Sequence, residues 1–74
     1  MTDPYEYSIT IKKVTLEGER VFEATIAELP DVVEYGPNYK EAYELVIDTI
    51  TTAAAAYAET GDLFPLPYAR QKVA

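Results

Sequence analysis

Apolar and polar residues alternate along two segments near the start of the chain, Tyr5–Val14 and Glu19–Ala27. The apolar side carries Tyr5, Tyr7, Ile9 and Ile11 in the first segment and Phe22, Ala24 and Ile26 in the second. A period of two is typical of a half-buried β-strand. Because Glu17 and Gly18 lie between the segments, we predict one β-hairpin with a two-residue turn.

The turn also predicts the register of the hairpin. With Glu17 and Gly18 at the turn, Leu16 lies opposite Glu19, and the other pairs follow from this one. The predicted pairs are Lys13–Phe22, Ile11–Ala24 and Ile9–Ile26 on one face, and Lys12–Glu23 and Thr10–Thr25 on the reverse face. The apolar positions then share one face, and the reverse face is predicted to be solvated.

Proline and glycine divide the chain after the hairpin. We predict that Leu29-Pro30-Asp31 interrupts the strand ladder, because proline has no N–H to donate. A short third strand is predicted from Val32 to Tyr35, and Gly36-Pro37 ends it.

A long helix follows these breaks. Asn38 is suited to be its N-cap, with Glu41 three residues later, and Gly61 is suited to the left-handed position after its end. The helix is predicted to span about 21 residues and to end at Thr60. Residues 1–74 are therefore predicted to form one α+β domain, with an antiparallel sheet of three strands and one long helix on one face. The tail from Pro67 to Ala74 is either a fourth, edge strand or a frayed end.

The helix is apolar around about 200° of its circumference, about twice what one sheet face covers. A first stripe, predicted to pack on the sheet, contains Ala42, Leu45, Val46, Thr49, Ala53, Ala56 and Tyr57. A second stripe contains Tyr43, Ile47, Ile50 and Ala54. We expect a second copy of the chain to cover the second stripe, which predicts a homodimer or tetramer; the alternative cover is the segment Leu63–Leu66.

The composition limits the kinds of catalytic, metal-binding and nucleic-acid-binding sites that the chain can form. The 74 residues include no Cys and no His, and Ser8 is the single Ser, so the usual zinc ligands and nucleophilic triads are lacking. We predict no catalytic residue, no metal site and no cofactor, and that the chain is not an enzyme. Asp and Glu number 13 against 6 Lys and Arg, a net charge of -7, which makes nucleic acid an unfavourable partner.

The N-terminal residues lack the basic region and apolar run of an export signal, and nowhere do about 18 apolar residues follow one another. We therefore expect a cytoplasmic protein that does not associate with a membrane.

The order and spacing of several short motifs resemble the HicB-like antitoxin family over nearly the whole chain. In chain order they are the hairpin, the segment Phe22–Val33 (FEATIAELPDVV), the segment Tyr35–Ala42 (YGPNYKEA), the long helix and the segment Gly61–Pro67 (GDLFPLP). The chain departs from the family pattern at Ala27, which replaces a proline, at Asp31, which replaces a glycine, and at Pro37-Asn38, which replaces an Asp-Thr cap.

The resemblance implies a partial double-stranded-RNA-binding-like or RNase H-like fold that assembles as dimers or tetramers. It also implies that the chain binds a small basic, mRNA-cleaving HicA-like toxin and covers its active surface. Full-length family members carry a C-terminal DNA-binding domain that would begin where this chain ends, so operator binding is not expected. The acidic candidates for meeting the toxin are Glu23, Glu28, Asp31 and Glu34.

Two other functions fit the same residues. A Mg²⁺-dependent nuclease or RNA-processing enzyme would use carboxylates such as Glu23, Glu28, Asp31 or Asp48, since Mg²⁺ needs only one or two of them together with water. A self-assembling scaffold would have a stable oligomer and no toxin. Metal-dependent RNA cleavage distinguishes the first alternative, and the lack of a heterologous partner distinguishes the second.

Overall fold

The computed structural model describes residues 3–71, which form a three-stranded sheet and one long helix. The strands are β1 (Ile9–Leu16), β2 (Glu19–Ile26) and β3 (Leu29–Gly36), and the helix is α1 (Tyr39–Thr60). Short 3-10 helices lie at Pro4–Glu6 and Tyr68–Arg70. The sheet is antiparallel in the order β1-β2-β3, with α1 packed against it. The predicted α+β fold with the order β-β-β-α is confirmed.

The β1–β2 hairpin has the predicted register. Leu16 pairs with Glu19 beside the turn, and Ile9 pairs with Ile26 at the far end. Glu17 and Gly18 have φ angles of 51° and 84°, as a type I′ turn requires. This turn matches the twist of the two strands and so holds them in one register.

Two strand boundaries differ from the prediction. Tyr5 does not lie in β1, because Asp3 accepts a hydrogen bond from its N–H at 2.9 Å and caps the short helix Pro4–Glu6. Leu29-Pro30-Asp31 does not interrupt the sheet, since Leu29 already pairs with Ile26 across a bulge. An edge strand that carries a bulge accommodates a proline without disturbing a central ladder.

Both predicted ends of α1 are confirmed. The Asn38 side chain accepts a hydrogen bond from the Glu41 N–H at 2.8 Å. At the C-terminus Gly61 has a φ of 78°, and the Asp62 N–H donates to the Tyr57 carbonyl at 3.0 Å. This pattern is a Schellman motif, which satisfies carbonyls that a helix end leaves without partners.

The core lies between the sheet and one ridge of α1. Ala42, Val46 and Ile50 are at most 1% exposed, and they follow one another at a spacing of four residues. Such a ridge is inclined by about 26° to the helix axis, so the buried face crosses both predicted stripes. Ile50, predicted for partner contact, therefore lies in the core of its own chain, whereas Leu45, predicted for the core, is 43% exposed.

Gly36 sets how closely β3 approaches α1. It is buried, and a Cβ atom at this position would lie 2.6 Å from the Ala42 nitrogen and 2.9 Å from its Cα. Two backbones this close leave no room for a side chain between them. Gly36 therefore positions the first turn of α1 against the end of the sheet.

The C-terminal segment packs back on the domain. Pro67 is fully buried, Phe64 packs on the core, and Arg70 pairs with Glu6 at 2.8 Å. Tyr68–Arg70 is a short 3-10 helix and not the edge strand that was one alternative for the tail. Residues 72–74 of the predicted tail lie outside the described residues.

Candidate protein-interaction surface

Three carboxylates lie along the solvent side of α1. Glu41, Glu44 and Asp48 are spaced by three and four residues, which places them on one side of a helix. Together with Pro37 and Leu45 they line a shallow cleft of about 390 Å³. We refer to these five residues as the acidic helix face. Its apolar residues provide surface that a partner protein can bury, and its carboxylates make this surface negatively charged.

A second cleft lies beside the same carboxylates. Glu44 and Asp48 line it as well, together with apolar and aromatic side chains, and its volume is about 250 Å³. Its remaining members are Tyr5, Tyr43, Ile47 and Thr51. The rings of Tyr5 and Tyr43 are 6.3 Å apart, so the N-terminal 3-10 helix forms one wall.

The second cleft contains two of the four residues predicted for self or partner contact. Tyr43 and Ile47 line it and are half-buried. Ala54 is also half-buried but lies almost two turns further along α1, and Ile50 belongs to the core. Sequence reasoning therefore found part of this surface but missed the carboxylates beside it. Their helical spacing, with Lys40 the only basic residue in α1, was the signal that could have found them.

The acidic helix face takes no part in the ion pairs of residues 3–71. Those pairs are Lys12–Glu23 at 3.8 Å and Glu6–Arg70 at 2.8 Å. The negative charge along α1 therefore acts on the surrounding solvent and on charged molecules in it.

The four acidic residues predicted to meet a toxin do not form one patch. Glu23 pairs with Lys12 on the sheet face turned away from α1. Glu34 points to the opposite side of the sheet and accepts a hydrogen bond from the Thr49 hydroxyl at 2.6 Å. Only Glu28 and Asp31 come together, because both line a groove at the start of β3.

Glu28 is a structural tie between distant parts of the chain. Glu28 is only 7% exposed. Its carboxylate accepts hydrogen bonds from the Ser8 N–H at 3.0 Å, the Ser8 hydroxyl at 3.0 Å and the Tyr68 N–H at 2.8 Å. Burial acts to raise the pKa of Glu28, but the hydrogen bonds from Tyr68 and Ser8 outweigh it, and the pKa lies below its ordinary value. The carboxylate therefore remains ionised and holds the C-terminal segment against the start of β1.

A second tie lies beside Glu28. The Tyr7 hydroxyl donates to the Pro65 carbonyl, and Tyr7 is only 5% exposed. Burial, and secondly the negative charge of Glu28, raise the pKa of the Tyr7 hydroxyl. The hydroxyl therefore keeps the proton that it donates.

The groove at the start of β3, which we call the β3 groove, is lined mostly by apolar side chains together with two carboxylates. Its volume is about 220 Å³. Its lining residues are Glu28, Leu29, Pro30, Asp31, Val32, Ala53, Tyr57, Phe64 and Pro65. The rings of Tyr57 and Phe64 meet edge to face with centroids 5.1 Å apart, and Tyr57 is 41% exposed.

Within residues 3–71 the sheet face opposite α1 is open to solvent and partly apolar, although the pattern predicted a solvated surface there. Side chains alternate across a sheet, so the residues between the core positions point away from the helix. The apolar ones are Val14, Leu16, Val21, Val33 and Tyr35. Leu16, Val33 and Tyr35 are 41–42% exposed, which makes this open sheet face a further candidate for contact with another chain.

Within residues 3–71, no group of three or more acidic residues is arranged to hold a metal ion. In the same residues no helix combines the length and apolar character needed to cross a membrane.

Comparison of the chain with protein-family models, with curated proteins and with solved structures finds no match.

Proposed function

We propose that this chain is a HicB-like protein-binding module, not an enzyme, that neutralises a small basic mRNA-cleaving toxin by covering its RNA-binding surface. The observation that carries the proposal is the acidic helix face, whose residues Glu44 and Asp48 also line the second cleft.

The electrostatics favour a basic partner. A surface that binds RNA is positively charged because it neutralises phosphates. Glu41, Glu44 and Asp48 present a row of negative charges that can take the place of those phosphates, and the net charge of -7 attracts such a partner over a distance.

The two clefts also offer apolar and aromatic contacts to a partner, which charge alone does not provide. Leu45 is 43% exposed in the first cleft, and Tyr43 and Ile47 line the second. Aromatic and aliphatic anchors surrounded by polar groups are typical of protein interfaces. The observed order β-β-β-α agrees with the fold that the resemblance implies, but many functions share a fold, so the proposal depends on the surface.

We further propose that two or more copies associate through the open sheet face. Its exposed apolar residues include Leu16, Val33 and Tyr35, and a single sheet with one helix leaves this face uncovered. Sedimentation equilibrium at tens of micromolar should give a mass above that of one chain. The variant Val33→Lys should lower the mass. Leu63 lies outside the sheet and is 94% exposed, so the control variant Leu63→Lys should not lower it. A monomer of the unmodified chain would refute the association.

The toxin proposal is tested by co-expression of the chain with a small basic, mRNA-cleaving HicA-like toxin. We expect the chain to restore growth and to stop mRNA cleavage. The double variant Glu44→Gln/Asp48→Asn should weaken both effects. Glu17→Gln/Glu59→Gln removes the same charge away from the acidic helix face and should retain them.

Several outcomes contradict the proposal. Failure to restore growth by a folded, expressed chain contradicts it directly, and equal loss in both double variants attributes the effect to net charge. Mg²⁺-dependent RNA cleavage by the chain alone, abolished by changing Asp31 or Asp48, would favour the enzyme alternative.

A further inference from the structure

We propose that the β3 groove is a binding site for an arginine side chain of the partner, with the guanidinium on the exposed Tyr57 ring and paired with the Asp31 carboxylate. The proposal rests on the proposed function only in taking the natural partner to be a basic protein.

The shape of the groove suits a side chain rather than a flat surface. Pro30 and Pro65 give the groove a rigid lining, and Val32 and Ala53 add apolar surface to it. Arginine has a long aliphatic stem that can bury against such a surface while its charged end stays exposed to solvent. Phe64 packs on the core and holds Tyr57 edge to face, so the ring is already positioned.

The charges of the groove select a cation. Glu28 and Asp31 both line it, and among residues 3–71 no basic side chain lines it. The Glu28 carboxylate already accepts hydrogen bonds from Ser8 and Tyr68, so Glu28 contributes its electrostatic field. Asp31 is exposed and takes part in neither ion pair of residues 3–71, so its carboxylate can pair with a cation from a partner.

Aromatic and acidic groups together favour arginine over lysine. A guanidinium is planar, stacks on aromatic faces and can form two parallel hydrogen bonds to one carboxylate. Elsewhere in the chain a cation already lies over a ring, since the Lys13 nitrogen is 5.5 Å from the centre of Phe22. Tyr57 offers a comparable ring to a cation from outside.

The test is an NMR titration of the full ¹⁵N-labelled chain with the peptide acetyl-Gly-Gly-Arg-Gly-Gly-amide. We expect the largest shifts at the β3 groove. The same peptide with citrulline in place of arginine keeps the shape but has no charge, and it should not bind measurably.

Four variants separate the groove from general electrostatics. Asp31→Asn should raise Kd about two- to fivefold, the range for an exposed ion pair. Glu17→Gln removes one charge in the β1–β2 turn, at the other end of β2 from the groove, and should leave Kd unchanged. Tyr57→Leu should raise Kd about two- to fivefold, whereas Tyr57→Phe keeps the ring and should not. Circular dichroism confirms that each variant is folded.

Three results would refute the proposal that the β3 groove binds arginine. They are shifts centred on the acidic helix face, equal weakening by Asp31→Asn and Glu17→Gln, and equal binding of the citrulline peptide. The toxin assay is separate, because it does not depend on this peptide. If the Asp31→Asn variant still restores growth and the peptide does not bind, only the arginine-site proposal is refuted. If the peptide binds but the chain does not restore growth, only the toxin proposal is refuted.

Discussion

The hydrogen bonds of Glu28 predict a large loss of stability in the variant Glu28→Gln. Glutamine has the same size, but it is neutral and has a single acceptor oxygen. The Ser8 N–H bonds one carboxylate oxygen, and the Ser8 hydroxyl and the Tyr68 N–H bond the other, so in either orientation the NH₂ group of glutamine faces at least one of the two N–H groups, and the remaining bonds lose their charged acceptor. Hydrogen bonds to a charged group contribute about 1.5–3 kcal/mol each, against about 0.5–1.5 kcal/mol for neutral pairs. With at least two of the three bonds weakened, we expect the free energy of unfolding to fall by about 2 kcal/mol.

This loss is large for a domain of this size. Total stability of a small domain is about 5–15 kcal/mol, and about 1 kcal/mol corresponds to about 4–8 °C in Tm. Urea unfolding at about pH 7 measures the difference directly. Glu44→Gln removes the same charge from an exposed helical position, where a change of at most about 0.5 kcal/mol is expected.

The advantage of the natural chain should also depend on pH. The pKa of Glu28 lies below its ordinary value in the folded protein, and in the unfolded chain it is about 4.3. The unfolded state therefore binds more protons between these two values, and the free energy of unfolding decreases as the pH is lowered through that range. The difference between the natural chain and Glu28→Gln should be constant above about pH 5 and should shrink as the pH falls through the folded-state pKa. A variant as stable as the natural chain at about pH 7, or a difference that grows towards low pH, would refute this reasoning.

Three further predictions concern backbone geometry and are measured by urea or thermal unfolding. Glu17→Asn should stabilise the protein by about 1 kcal/mol, because Asn tolerates the positive φ of 51° better than Glu; no gain would show that the turn is not strained. Gly36→Ala should destabilise it by about 1–3 kcal/mol, since the added methyl group meets the Ala42 backbone at 2.6 Å; unchanged stability would contradict the close approach. Asn38→Ala should cost about 1 kcal/mol by removing the acceptor of the Glu41 N–H, whereas Asn38→Asp should keep the cap.

The hairpin and both helix ends were predictable because their signals are local. The register follows from Glu17 and Gly18 and the alternation beside them, and the caps follow from Asn38 and Gly61. The start of β3 was not predictable in this way. Pro30 reads as a break, and only the bulge and the edge position of β3 show how the sheet accommodates it.

The candidate surfaces were only partly predictable. Tyr43 and Ile47 follow from the helical projection and do line a cleft. Ile50 and Leu45 could not be assigned correctly, because an inclined ridge and a straight stripe have nearly the same sequence pattern. Glu28 looked like any surface carboxylate, since Ser8 and Tyr68 are 20 and 40 residues away from it.

Alternation, capping and turn residues therefore specified which segments are strands or helix and how the hairpin pairs, since each signal spans only a few neighbouring residues. Three-dimensional packing decided which ridge of α1 is buried, which carboxylate is a structural tie, and which side chains meet in the β3 groove. Those outcomes depend on the angle at which the helix crosses the sheet and on contacts between distant segments. Neither the crossing angle nor these contacts produce a repeating pattern in the sequence.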